Sequence, residues 1–377
     1  MKHLLRTFLF FTLLCLPMVS RADVPDNSFH PGEKWLDTDG NSINCHGGGF
    51  LFQDGTYYWF GEHRAGKLPD HTGVACYSST DLYHWTNHGV VLATTPDGVE
   101  LADGCTMERP KVIFNSTTHK YVMWFHLELK GRGFLAARAA VAVSDTPTGP
   151  YKYLGSFRPN AGFWPIGFPE NLKTPTTLPD GPQRNNPDPD RYVRRDFAGG
   201  QMSRDQTLFV DDDGTAYQIT SSEENSTMQI NKLTDDYLKP TGQYCRFLVG
   251  KFNEAPAMFK HNGRYYLITS GTTGWKPNAG RITIADNIMG PWKLLGNPFV
   301  GPPEQTSLSF SSQAASVLKV VGKTDAFIYV GDRWLPRDLP DSPTIFLPIS
   351  FTGDGISIAW KDKWDLSVFD APAGNAK

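Results

Sequence analysis

The chain lacks any strong excess of charge. Its 36 Lys and Arg face 39 Asp and Glu across 377 residues, a formal net charge of -3 with a pI near 6.4, and no block of like charges occurs. That removes the electrostatic footprint of a nucleic-acid binder or of a protein docked on an anionic membrane, and it points to a neutral ligand. Cysteine is scarce as well. Of five, Cys15 sits in an N-terminal apolar run, while Cys45, Cys76, Cys105 and Cys245 show no CxxC or CxxxC spacing, which argues against a zinc site. No metal and no cofactor is expected; one or two disulfides and buried free thiols both remain open. Long apolar runs are missing beyond the N-terminus, so nothing there spans a bilayer.

The N-terminus is different. Basic Lys2 and Arg6 precede an apolar run over 8–19, and small Ser20 and Ala22 follow in an A-x-A-like arrangement. This is the pattern of a secretory signal over 1–22, and Leu14 before Cys15 argues against a lipid anchor. The mature chain is expected to be exported, to a periplasm or beyond the cell, as a monomer without membrane insertion. What the sequence has in quantity is aromatic residues, 13% of the chain, which suits a β-rich core and rings that stack on sugar faces.

One pattern recurs five times. "FLFQDGTYYWFGEH" (50–63), "KVIFNSTTHKYVMWFHLE" (111–128), "LFVDDDGTAYQITSSEE" (208–224), "AMFKHNGRYYLITSG" (257–271) and "SVLKVVGKTDAFIYVGDRW" (316–334) each read as a short apolar run, a polar turn and a second apolar run. Three carry DG or NG at the turn, a strong hairpin signal. Further strand-like segments follow each, so the unit has about four strands. Repeats of this length and composition predict an all-β fold, a five-bladed β-propeller of four-stranded blades forming a single domain over 23–370, with a disordered tail at 371–377.

Alignment on the turns gives the functional clue. Nine residues before Gly55, Gly214, Gly263 and Gly322 stand His46, Asp205, Glu254 and Gln313, and matching "ERP" (108–110) to "EAP" (254–256) adds Glu108. First strands of propeller blades line the central channel, so five polar side chains are expected to converge at one end of it. A long Pro-rich interruption at 156–202 joins blade 2 to blade 3 and is read as a wall or lid over that end. Convergent carboxylates in a neutral, aromatic-rich, exported protein suggest glycoside hydrolysis, which needs a proton donor and, when the anomeric centre inverts, a group activating water from the opposite side. Burial and neighbouring carboxylates raise the pKa such a donor requires.

These segments resemble glycoside hydrolase family 43, the five-bladed propellers. "YSSTDLYHW" (77–85) is a weak marker of it; "HGGGFLFQDGTYYWFGEHR" (46–64), "ERPKVIFN" (108–115), "SRDQTLFVDDDG" (203–214), "NEAP" (253–256), "TTGWKPN" (272–278) and "GDRW" (331–334) are similar to its exo-β-1,3-galactanase branch. The resemblance spans roughly 30–367. It implies Glu254 as general acid and Asp205 as the residue that tunes and holds it. Where most of the family carries a base aspartate, this chain has Asn44, Cys45 and His46; the galactanase branch shares that departure, which implies Gln313, ranked first, or Glu108 on the water side. Glu62, Thr272, Trp275, Asp332, Arg333 and Trp334 are the sugar contacts implied by motif match, and His46 is expected to hydrogen-bond substrate or water in preference to ligating a central ion. An arabinofuranosidase or xylosidase on the same scaffold, and a non-catalytic carbohydrate-binding propeller, stay open at this point.

Overall fold

The computed structural model describes residues 26–66, 70–183 and 185–370, so the leader expected at 1–22 and the tail expected at 371–377 lie outside the described residues. Among the described residues no helix is long and apolar enough to cross a membrane. Among these residues, twenty-one strands form five sheets that follow one another along the chain, at 46–93, 106–157, 206–247, 253–296 and 313–359. In each, an antiparallel meander runs outward from its first strand, and the five first strands pack side by side in a ring that closes from the fifth blade back to the first. This is the expected five-bladed propeller with one difference. The fifth sheet has an extra edge strand, Phe299–Val300, paired in parallel with Gly355–Ala359. Packing explains it: the chain leaving blade 4 buries Phe299 edge-on against Phe310 and Tyr329, at centroid distances of 5.5 and 5.1 Å, and so lays its backbone beside the outer strand.

The turns follow their local chemistry. Asp54–Gly55 and Asn262–Gly263 are two-residue connections in which both residues take positive φ, 50° and 79° in the first, 49° and 76° in the second. That is the turn that DG and NG favour between twisted antiparallel strands.

Both faces of a blade are covered by neighbours, so the strands are apolar on both sides instead of alternating with polar residues. Strand Lys120–Glu128 illustrates this: Met123 packs into a cluster shared with blade 1, and Trp124 into one shared with blade 3. Five such clusters fill the five interblade gaps. Full burial of side chains of this size stabilises by about 1.5–3 kcal/mol each. Cys45, Cys76, Cys105 and Cys245 are all buried and all free, serving as small apolar residues in or beside these gaps. A clasp joins the two ends of the described chain: Phe29 and Trp364 exchange backbone hydrogen bonds of 2.6 and 3.1 Å and stack at 4.2 Å.

Candidate active site

Four of the five inner strands begin with an irregularity of one residue. Cross-strand register shifts immediately after His46, Glu108 and Glu254, and just beyond Gln313, while Asp205 directly precedes its strand Gln206–Val210. Such bulges re-aim side chains at the end of a sheet. In blades 1, 2 and 4 the residue after the aligned position is left-handed: Gly47 at φ 58°, Arg109 at 55°, Ala255 at 56°. Outside glycine that conformation costs about 1–2 kcal/mol. Each bulge amide is held by a carboxylate of the preceding blade. Gly47 N–H donates to Asp332 Oδ2 at 2.9 Å, Arg109 N–H to Glu62 Oε1 at 3.0 Å, and Ala255 N–H to Asp205 Oδ2 at 3.0 Å. One device thus stitches neighbouring blades and points the aligned residues upward.

Above the ring lies a cavity of about 590 Å³. Glu254, Asp205, Gln313, Glu108, Glu62, Thr272, Trp275 and Trp334 all line it. Three residues expected as sugar contacts do not. His46 is fully buried, with Nε2 3.2 Å from the Pro340 carbonyl. Asp332 is turned to Gly47 and to the Thr344 hydroxyl, and Arg333 donates from Nε to the Phe310 carbonyl while covering the Trp360 ring. Among the described residues, the connection 156–202 reaches the cavity only through Gly181 and Pro182.

The electrostatics separate the carboxylates. Burial, then the charge of Asp205 and more weakly that of Glu108, pushes Glu254 up to about 8, against the opposing pull of Arg109 and a hydrogen bond from Gln313. Asp205 is paired with Arg109 Nε at 3.1 Å. Glu108 goes the other way: burial would raise it, but the hydrogen bond and charge of His126 outweigh that and hold it below its ordinary value. His126 bridges Glu108 and Glu128 at 3.0 and 2.9 Å, and despite burial these bonds raise its pKa to about 10, so it is an imidazolium at neutral pH. Glu128 is fixed in turn by the N–H groups of Ala136 and Ala137. Glu62 is kept far below the carboxylate range by Arg64, His71 and Arg109 in spite of its burial.

Gln313 is fully engaged. Its Oε1 accepts from Arg109 Nη2 at 2.7 Å and Trp334 Nε1 at 2.8 Å, and its Nε2 donates to Glu254 Oε1 at 2.9 Å and Ser270 Oγ at 3.1 Å. Arg and Trp only donate, which fixes the orientation of the amide. Glu108, His126 and Asp205 bring polar atoms within 4.8 Å of one another. Both His126 nitrogens carry protons toward carboxylates and Asp205 faces Arg109, so this group suits an ion-pair network better than a cation.

Arg109, His126 and Glu128 escaped the sequence reading. A signal for each was present: Arg109 follows an aligned residue, and His126 and Glu128 are alternate polar residues in an otherwise apolar strand, "KYVMWFHLE".

The model of glycosyl hydrolases family 43 matches residues 188–356. A solved GH43 β-1,3-galactosidase, in complex with galactodeoxynojirimycin, is 47% identical and superimposes with a TM-score of 0.84 over 89% of this chain and 100% of its own. The exo-β-1,3-galactanase from Clostridium thermocellum is 34% identical, with a TM-score of 0.74 over 90% of this chain and 66% of its own. That from Phanerochaete chrysosporium, solved with β-1,3-galactotriose, is 33% identical, with the same TM-score over 90% and 68%. A curated arabinoxylan arabinofuranohydrolase of Paenibacillus polymyxa is 24% identical over 304 residues, 74% of this chain; the matched region is 43% of that enzyme's length.

Proposed function

Because this chain belongs to glycosyl hydrolase family 43 and is a glycosidase, we propose that it is an exported, inverting exo-β-1,3-galactanase that releases galactose units from arabinogalactan-type chains, with Glu254 as general acid. The observation that carries the acid assignment is the Glu254 carboxyl, lining the cavity and raised to about 8, so that it holds a proton at neutral pH. The galactose-linked names of the similar structures support the substrate.

In this mechanism Glu254 gives its proton to the glycosidic oxygen as that bond breaks. Water attacks the anomeric carbon from the opposite face and loses a proton to a base. Asp205 keeps Glu254 protonated by its charge, and Arg109 holds Asp205 in place. The two reacting groups of an inverting pair stand roughly 6.5–9.5 Å apart with the sugar between them. Gln313 bonds directly to Glu254 and has every amide position occupied, so we assign it to positioning the acid. Glu108 is ionised and uses only Oε2 in its bond to His126, so we assign it to the water. This reverses the order read from the sequence. His126 steadies Glu108, and Trp275 and Trp334 offer faces for the sugar.

Incubation with β-1,3-galactan, arabinan and xylan, followed by product analysis and NMR of the first anomer, tests the reading. Galactose released first as the α anomer is expected. A β anomer first, or arabinose or xylose in place of galactose, overturns it.

A further inference from the structure

An ion-pair latch beside the cavity has no part in the chemistry above. After strand Ala216–Ser222, blade 3 turns through three successive non-glycine residues in the left-handed region: Glu223 at φ 54°, Glu224 at 57° and Asn225 at 62°. Sterics disfavour such a run, and it persists where its surroundings overdetermine it. Here they do. Arg246 grips both oxygens of Glu223 at 2.6 and 2.7 Å, and Glu224 takes Arg195 on one oxygen at 3.1 Å and Arg204 on the other at 2.8 Å.

The partners of these carboxylates come from different segments. Arg195 lies in the one-turn helix Arg191–Arg195 of the connection leaving blade 2, and Asp190 just before that helix also binds Arg246, at 2.6 Å. Arg204 donates to the Phe134 carbonyl at 2.6 Å, and Arg158 to those of Leu135 and Ala136 at 2.6 and 2.9 Å. One pair of buried carboxylates therefore fastens the connection, the blade 3 turn and the loop of blade 2 around 134–136.

Those segments also form one wall of the active-site cavity, through Gly181, Pro182, Phe134, Leu135, Arg204 and Asn225. Behind Leu135 is a second void of about 310 Å³, lined also by Arg132, Arg158 and Asp180. Leu135 borders both spaces, and Asp180 and Gly181, adjacent in the chain, border one each. The wall thus separates the cavity from a second open space.

We infer that the Arg195–Glu224–Arg204 latch holds this partition shut, so that the cavity takes a chain terminus and refuses a chain interior. The inference rests on the proposed galactanase reading and names the residues that impose its exo action. Arg195 and Glu224 act as positioning residues. Buried charges left without partners shift the segments that carry them, so the latch controls the wall without touching the scissile bond.

The test compares products from β-1,3-galactan and from the same chain capped at its non-reducing end. Wild type is expected to release single galactose units and to refuse the capped chain. Arg195→Met is expected to release oligosaccharides and to cleave the capped chain about tenfold or more faster than wild type; Arg195→Lys should restore the wild-type pattern. Pro182→Gly, which loosens the wall while leaving the ion pairs intact, gives the same readout if Arg195→Met does not fold. Single sugars alone from folded variants, with the capped chain still refused, overturn the latch. If wild type cleaves arabinan or xylan instead, the galactan reading fails, and the capped-chain comparison on that polymer still judges the latch.

Discussion

Gln313 Nε2 lies 2.9 Å from Glu254 Oε1, and the same amide accepts from Arg109 and Trp334 through its oxygen. The amide hydrogens therefore face the carboxyl proposed as the proton donor. A hydrogen bond donated to a carboxylate favours its ionised form. Replacing Gln313 by Ala removes that bond, raises the Glu254 pKa further and frees the side chain to leave its working rotamer. We expect kcat to fall about 10²-fold, with the alkaline limb of the rate profile displaced to higher pH. Glu108→Ala should lose about 10²–10⁴-fold and regain rate with added azide, forming a glycosyl azide of inverted configuration, because a small anion replaces the water and its base. Azide rescue of Gln313→Ala in place of Glu108→Ala would return the water to Gln313.

Glu254→Gln should lower kcat on galactan by about 10²–10⁴-fold and leave oligosaccharide binding in place. Aryl galactosides with acidic leaving groups need little protonation of the departing oxygen. On them the loss should shrink, and an equal loss on both substrate types would count against Glu254 as the acid.

Much of this was legible because local chemistry repeats. The DG and NG turns fixed the blade frame, and although four inner strands carry a register shift at their start, a constant offset from the turn still picked out Asp205, Glu254 and Gln313, while the match of ERP to EAP added Glu108. The shift itself was not legible. It arises from contacts between blades, such as Ala255 N–H to Asp205, that no single strand encodes. His46 and Asp332 were misplaced for that reason: their spacing puts them at strand ends, but Asp332 is drawn to the Gly47 amide and His46 is covered by the Pro340 segment.

The pH dependence follows from two opposed shifts. With Glu254 near 8, kcat/KM should fall on the alkaline side around that value. Asp205→Asn removes the charge that raises Glu254 and releases Arg109 to lower it, so the alkaline limb should move toward neutral pH. An unchanged limb excludes Glu254 as its source. Stability carries the same sign: a carboxyl whose pKa is higher folded than unfolded binds its proton more tightly in the native state, so stability falls as pH rises from its unfolded value toward 8. Glu254→Gln should therefore melt above wild type at pH 8 to 9, by on the order of a few kcal/mol, and the gap should narrow near pH 5. Thermal unfolding at the two pH values checks this.

His126 is a cation between two carboxylates in the wall of the cavity. Replacing it by Ala leaves Glu128 buried without its counter-ion, held only by the Ala136 and Ala137 amides, a change that costs about 3–5 kcal/mol, and removes the main group that holds Glu108 down. Burial and the charge of Glu62 then outweigh the remaining pull of His71 on Glu108, and its pKa rises. The acidic limb of kcat/KM should move to higher pH, a displacement that simple loss of folded protein does not produce. Chemical denaturation and a pH profile on the same sample separate the two effects.

Gly47 is a tightly constrained point of the ring. Its φ of 58° lies where other residues are strained, and a Cβ there would stand 2.3 Å from Glu62 Oε1. The usual relief, a shift of backbone or neighbour, is blocked on three sides. Its N–H is bound by Asp332, its carbonyl accepts from the buried Lys111 at 2.8 Å, and Glu62 is tied to Arg64 and to the Arg109 amide. Gly47→Ala should cost on the order of 2–4 kcal/mol in urea unfolding. Because Glu62 would have to yield and Arg109 holds both Asp205 and Gln313, the displacement should reach the acid through two hydrogen-bonded steps. We therefore expect kcat to fall in the protein that remains folded; unchanged kcat would mean that the ring absorbs the strain without passing it from blade 1 to blade 4.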